Sequence, residues 1–109
     1  MRKYTIATLF ILLAIASCTK KAAPTASANT AEGASIFSKN CARCHGAQGV
    51  KDERTPNLQT IALNKSQLVN SITNGKTTEG KKERMPAFKN KLSAAEISAV
   101  ADLIVSWHK

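Results

Sequence analysis

The chain has 109 residues, with 16 Lys and Arg against 7 Asp and Glu, a net charge of +9 and a pI near 9.8. This length leaves room for one small domain. The cysteine count is three, and an odd number of thiols argues against a disulfide framework.

Residues 1–17 have the composition of a secretory signal peptide. Arg2 and Lys3 give a basic start, and the apolar run that follows is shorter than the roughly 20 residues needed to span a bilayer. The run ends in the sequence IASC at 15–18, which resembles the lipobox of bacterial lipoproteins. This resemblance implies that Cys18 becomes a lipid-bearing N-terminus facing the periplasm, on the inner or the outer membrane. Ordinary cleavage that leaves Cys18 as a free thiol is the alternative.

The next two segments are a predicted tether and a predicted domain. Residues 18–31 are small and polar with no periodic apolar face, which predicts a flexible tether. The domain then covers residues 32–109, and 109 minus 31 leaves 78 residues. A domain of this size buries little apolar surface unaided. We therefore expect a cofactor to complete its core.

The first helix of the domain is predicted to end at the first cysteine of the sequence CARCH, at 41–45. Gly33, Phe37 and Cys41 recur every four residues, so they share one face of this helix. The small Gly33 would let a second helix approach closely. We expect the last helix to cross at Gly33 and Phe37.

The CARCH sequence is typical of covalent haem attachment. The thiols of Cys41 and Cys44 lie about one helical turn apart, so both can reach the two vinyl groups of a haem, and His45 can bind the iron. A structural zinc site is an alternative, but it needs four ligands and only the remote His108 remains. A dithiol redox motif is another, although no strand-then-helix pattern surrounds it.

Beyond His45, a charged loop leads to Pro56, whose carbonyl is free to accept a hydrogen bond. A helix is predicted over 64–73, with Leu68 and Ile72 on its apolar side and a stop at Gly75. An Asn-Gly hairpin is the alternative at that stop, but no alternating strand pattern flanks it.

Met85 is the only methionine other than the initiator, and it lies at the end of a polar loop. Its thioether can occupy the sixth position of a haem iron. The sequence SAAE at 93–96 then predicts a capping box that opens the last helix, with Leu92 and Ile97 as a hydrophobic staple. The apolar face of that helix carries Ile97, Val100, Ala101, Ile104 and Trp107.

The order of CARCH, the sequence PNL at 56–58, the sequence MPAF at 85–88 and a closing helix resembles the class I cytochromes c. The small bacterial and cytochrome c6-like members are the nearest. The resemblance covers residues 31–109 and implies an all-α fold, with crossed first and last helices packed around one covalently bound haem c.

The resemblance also assigns the site residues. It implies thioethers to Cys41 and Cys44, axial ligation by His45 and Met85, and a hydrogen bond from His45 to the carbonyl of Pro56. The chain departs from the family at two positions that are not ligands. Thr55 stands where Gly is common, and Leu103 stands where an aromatic ring is common, so Phe37 could pack on Leu103, on Trp107 or on neither.

These features predict a membrane-tethered one-electron carrier that is not an enzyme, because a six-coordinate iron has no open position for a substrate. The alternatives are a haem protein that binds small ligands or acts like a peroxidase if Met85 is displaced, and a fixed subunit of a larger redox complex. We expect a redox donor and acceptor with acidic docking surfaces, and no nucleic acid. The expected docking surface is a basic cluster around Met85, formed by Lys76, Lys81, Lys82, Arg84, Lys89 and Lys91.

Overall fold

The computed structural model describes residues 25–77, 79–80 and 84–108. The predicted signal peptide, 1–17, and Cys18 lie outside these residues. Within them the chain forms four helices, α1 (Ala26–Asn40), α2 (Ala42–His45), α3 (Lys65–Asn74) and α4 (Ala94–Trp107). One isolated antiparallel bridge, and no longer strand, occurs in the described ranges. The predicted all-α fold is confirmed.

Helix α1 begins earlier than predicted. It starts at Ala26, with the hydroxyl of Thr25 accepting a hydrogen bond from the amide of Ala28 at 3.4 Å. The predicted flexible tether, 18–31, therefore differs from the structure over residues 26–31, which are helical. This segment has no apolar face. Because alanine has the highest helix propensity of all residues, the segment is still helical and extends the part of α1 that packs on α4.

Helices α1 and α4 cross at Gly33, which has no side chain to keep them apart. A Cβ added at Gly33 would lie 2.2 Å from the carbonyl oxygen of Ala99, so the two backbones are in direct contact there. One turn later, Phe37 packs edge-on against Trp107, with ring centroids 5.1 Å apart and planes at 88°. The predicted crossing at Gly33 and Phe37 is confirmed, and Trp107 is the aromatic partner.

Local side-chain hydrogen bonds fix the starts of α3 and α4. At α4, the amide of Ser93 donates to the carboxylate of Glu96 at 2.7 Å, and the Glu96 amide donates to the Ser93 hydroxyl at 3.2 Å. The predicted capping box is confirmed. Helix α3 carries a second one, in which Asn64 and Gln67 exchange the same pair of bonds at 3.0 Å each. Gly75 ends α3 with a φ of +73°, as the predicted helix stop requires.

The core lies mainly between α1 and α4, and α3 packs on α4 from one side. Phe37 and Val100 are its largest fully buried side chains. An ion pair of 2.7 Å between Lys65 and Asp102 joins α3 to α4 near the surface. The remaining buried apolar side chains are those of Cys41, Leu58, Leu68, Ile72, Phe88, Ile97, Ala99, Ala101, Leu103 and Ile104.

Candidate haem site

The CARCH segment folds as one helical turn at the end of α1. The amide of Cys41 donates to the carbonyl of Phe37 at 2.8 Å, so Cys41 still belongs to the hydrogen-bond ladder of α1. Its own carbonyl accepts hydrogen bonds from the amides of Cys44, at 3.1 Å, and His45, at 2.9 Å. Since residues four apart share one side of a helix, Cys41 and His45 face the same way. Both line one cavity.

The two thiols of this turn meet different surroundings. Cys41 is 7% exposed, and burial raises the pKa of its thiol to about 11, with a smaller contribution from the nearby Cys44. Cys44 is exposed, and it is not among the residues that line the cavity. The structure therefore places one predicted attachment residue in the cavity wall and the other at the surface.

His45 is half-buried, and burial lowers the pKa of its imidazole. The neutral ring that this favours is the form that binds metals. Its Nδ1 is buried and has no hydrogen-bond partner. Pro56 lines the same cavity, but the expected hydrogen bond to its carbonyl is not formed in this structure. A hydrogen bond needs the carbonyl oxygen and the ring nitrogen to be close and aligned, and lining a common cavity does not ensure this. A buried polar atom without a partner costs folding free energy.

Met85 is held against the end of α3. Lys76 and Met85 exchange two backbone hydrogen bonds of 3.0 Å, and the amide of Phe88 donates to the carbonyl of Ile72 at 3.0 Å. Gly75 makes this approach possible, because a Cβ there would lie 2.5 Å from the carbonyl oxygen of Met85. The chain thus positions Met85 through Gly75 and the bridge partner Lys76, which directly follow α3.

A cavity of about 270 Å³ brings four of the five predicted haem-site residues together, namely Cys41, His45, Pro56 and Met85. The rest of its wall is almost wholly apolar and comes from α1, α3, α4 and the irregular segment 56–63, with Lys76 contributing from beyond the end of α3. Sequence analysis missed the contribution of Ile61 and Leu63 from that segment. Their signal is weak, because it consists of apolar residues two to three positions apart outside any helix.

A second cavity, of about 540 Å³, lies where α4 ends and is lined by Gln59, Thr60, Ile61, Trp107 and His108. It contains none of the predicted haem-site residues. Although it is larger, its lining supplies neither the CARCH turn nor Met85. The smaller cavity is therefore the candidate site.

The described members of the basic cluster are Lys76, Arg84, Lys89 and Lys91, and all four are exposed. Lys81 and Lys82 lie outside the described residues. Two of the four flank the bridge to Met85 directly, because Lys76 is its partner and Arg84 precedes it in the chain. Positive charge is therefore present on the segment that carries Met85.

The donor atoms in the candidate site suit a haem iron. Across residues 25–77, 79–80 and 84–108, no three or more His, Cys, Asp or Glu side chains gather into a metal-binding group. The cavity instead combines one imidazole, one thioether and one thiol with apolar walls. Nitrogen and soft sulfur ligands in an apolar pocket match a haem held by His and Met. The unpartnered Nδ1 of His45 also leaves that ring able to take a second-shell partner.

An all-α domain that places a CxxCH turn and a methionine at one apolar cavity is a monohaem class I c-type cytochrome. Comparison with known proteins agrees. The family model described as "Cytochrome C oxidase, cbb3-type, subunit III" matches residues 28–104, which is most of the chain. The chain belongs to this family of c-type cytochrome domains, and its cofactor is covalently bound haem c.

Individual relatives support the same conclusion. Cytochrome c6 of a Synechococcus species is 32% identical over 107 residues, which cover 93% of this chain and 90% of the relative. Cytochrome c6 of Alaria esculenta is 37% identical over 76 residues, covering 68% of this chain and 86% of the relative. These relatives support electron transfer as the function of the haem domain.

Two further comparisons concern a larger protein and a solved structure. The cbb3-type cytochrome c oxidase subunit FixP of Azorhizobium caulinodans is 39% identical over 84 residues, which cover 70% of this chain but only 28% of FixP. The solved KustC0563 c-type cytochrome superposes with a TM-score of 0.53 at 23% identity, covering 71% of this chain and 98% of that one. The likeness to the KustC0563 structure supports the cytochrome c fold.

Proposed function

We propose that the protein is a one-electron carrier whose haem iron is bound axially by His45 and Met85, and which is held to a membrane by a lipid on Cys18. The observation that carries the axial assignment is the shared cavity, since two segments 40 residues apart bring an imidazole and a thioether to one apolar site. The bound haem supplies the chemistry, by alternating between its ferrous and ferric states.

The protein's own residues set the conditions for that exchange. The apolar wall excludes water and lowers the local dielectric constant, which disfavours the extra charge of the ferric state. A thioether ligand acts in the same direction, and His/Met ligation raises the potential of cytochromes c. With both axial positions taken, no position remains for a substrate, so we propose a carrier rather than an enzyme.

Substitution of Met85 tests the axial assignment. Met85→Leu keeps an apolar side chain of similar volume but removes the sulfur, and Met85→Ala removes both. We expect both variants to keep covalent haem, to lose the weak near-infrared sulfur-to-iron absorption band and to have a lower potential. The drop should be a sizeable part of the roughly 0.8 V range that axial ligands span. A wild-type band and potential in Met85→Leu would refute ligation by Met85.

The lipid anchor is proposed from the sequence of residues 1–18. In the part of the chain that the structure describes, no helix is both long and apolar enough to cross a membrane. We expect Cys18→Ala to move the protein from the membrane fraction to the soluble or the uncleaved fraction. Several acyl chains on one residue anchor stably where a single chain is marginal. If the wild-type protein is found entirely in the soluble periplasmic fraction, the anchor proposal fails.

The basic cluster is proposed as the docking surface for acidic redox partners. Opposite charges accelerate encounter, and this effect weakens with salt because the Debye length is about 8 Å at physiological ionic strength. We expect the rate of electron transfer between the wild-type protein and an acidic partner to fall with added salt. At low salt, we expect the rate of Arg84→Glu to be lower than that of the wild type. Lys39→Glu, an equal charge change at an exposed position of α1, is the matched control. Equal rates in both variants would refute a docking role for the cluster.

A second candidate function is a cytochrome subunit fixed in a larger redox complex. The family description and the match to FixP favour it, because both name an oxidase subunit. The chain spans little more than a quarter of FixP, so the activity of the complex is not transferred to it. Purification in mild detergent separates the two candidates, since a fixed subunit elutes with partner chains and a carrier elutes alone.

A further inference from the structure

The irregular segment 56–63 forms one wall of the haem cavity without the support of regular secondary structure. Pro56, Leu58, Ile61 and Leu63 all contribute to the cavity lining. The segment lies between α2 and α3. Within it, the amides of Gln59 and Thr60 donate to Asn57 at 2.9 and 3.3 Å, and further contacts come from outside the segment.

One contact comes from the far end of the chain. The ring Nε2 of His108 lies 3.0 Å from the carbonyl oxygen of Leu58, across 50 positions of sequence. A carbonyl oxygen only accepts, so Nε2 carries the proton and donates. The position of His108 is itself fixed, because it follows α4 directly and its amide donates to the carbonyl of Val105 at 3.1 Å.

The opposite side of Leu58 is tied to the loop that follows His45. The amide of Leu58 donates to the carbonyl of Gly49 at 2.9 Å, and the side chain of Gln59 donates to the carbonyl of Gln48 at 3.1 Å. Gly49 has no side chain to intervene, and a Cβ there would lie 2.7 Å from the ring of Trp107 and 2.8 Å from Leu58. Leu58 is thus bonded through its amide on one side and through its carbonyl on the other.

We propose that His108 is a positioning residue of the haem site, which holds Leu58 and the Pro56 wall against the cavity from the end of α4. The proposal rests on the proposed function, because it places the haem beside His45. Leu58 is only 6% exposed and is the link, since its carbonyl binds His108 while its side chain lines the cavity. Pro56, two residues upstream, shares that cavity with His45.

Loss of the His108 ring leaves the carbonyl of the buried Leu58 without its partner. The segment should then open more often and admit water to the haem cavity. Water stabilises the ferric state, so the reduction potential should fall. A net hydrogen-bond contribution near 1 kcal/mol corresponds to roughly fivefold more frequent opening.

The experiment compares three holoproteins with the wild type. His108→Ala removes the donor, His108→Gln keeps an N–H donor on a flexible side chain, and Val105→Ala is the control at an exposed position of the same helix end. For each, the reduction potential and the exchange rate of the Leu58 amide with deuterium are measured. We expect His108→Ala to lower the potential and to speed exchange roughly fivefold. His108→Gln should recover much of both, and Val105→Ala should change neither.

Three results would overturn the proposal. They are a wild-type potential and exchange rate in His108→Ala, equal effects in His108→Ala and His108→Gln, and equal effects in His108→Ala and Val105→Ala. Failure of the proposed function is distinguishable, because it appears in the wild type as a missing sulfur-to-iron band. The exchange rate of the Leu58 amide still reports on His108 in that case.

Discussion

Replacing Gly33 with alanine should destabilise the protein, although alanine is the better helix former. In an open helix the change would stabilise by about 1 kcal/mol. At this position the new Cβ would lie 2.2 Å from the carbonyl oxygen of Ala99. A carbon normally meets such an oxygen at about 3.3 Å or more, so α1 and α4 must separate by about 1 Å.

The expected loss of stability in Gly33→Ala is the difference between a packing cost and a gain in helix propensity. Overpacking a close contact costs about 1–3 kcal/mol, and a gap of about 1 Å elsewhere in the interface forfeits up to half of each affected dispersion contact. Phe37 and Val100, both almost fully buried between these helices, would lose contacts as the gap opens. After the gain in helix propensity is subtracted, we expect a net loss of about 2 kcal/mol.

The assay is urea unfolding of the holoprotein, followed by far-ultraviolet circular dichroism and extrapolated to water. Ser35→Ala is the matched control, because Ser35 is exposed in the same helix and its substitution adds helix propensity without a clash. Gly33→Ala should unfold at lower urea than the wild type, and Ser35→Ala should not. If Gly33→Ala is as stable as Ser35→Ala, the close crossing at Gly33 is refuted.

Two further predictions concern single hydrogen-bonding groups. The hydroxyl of Thr55 is buried without a partner, so the isosteric Thr55→Val should raise the free energy of unfolding by about 1 kcal/mol. A loss of stability in the same urea assay would show that the hydroxyl has a partner in solution. Ser93→Ala removes the N-cap of α4 and should lower the free energy of unfolding by about 1 kcal/mol, whereas Ser38→Ala, exposed within α1, should not lower it. Equal stabilities of the two serine variants would contradict the capping role.

Sequence analysis predicted those parts of the fold that depend on nearby residues. The capping box between Ser93 and Glu96 spans three positions, and the helix stop at Gly75 depends on one residue, so both can be recognised locally. The crossing at Gly33 follows from its spacing to Phe37. The domain was predicted to begin at residue 32, whereas α1 begins at Ala26, because an alanine-rich segment with no apolar face is compatible with a tether as well as with a helix.

The parts of the site that were missed depend on contacts between distant residues. His108 binds Leu58 across 50 positions, and nothing around either residue in the sequence indicates that they meet. The hydrogen bond from His45 to the carbonyl of Pro56, which the resemblance implies, stays a prediction, because the structure brings both residues to one cavity but leaves Nδ1 of His45 without a partner. A family pattern identifies which residues share the cavity, whereas individual hydrogen bonds depend on the exact packing of each chain.

One-electron transfer at a haem bound by His45 and Met85 is tested by a potentiometric titration of the wild-type protein, with absorbance spectra recorded at each potential. We expect a single reversible transition, in which the potential changes by about 59 mV for each tenfold change in the ratio of oxidised to reduced protein. The oxidised protein should show the weak near-infrared sulfur-to-iron band, which disappears on reduction. An oxidised spectrum that lacks this band and that shifts on addition of cyanide, as the spectrum of a haem with an open position does, would contradict ligation by Met85 and would favour a haem protein that binds small ligands.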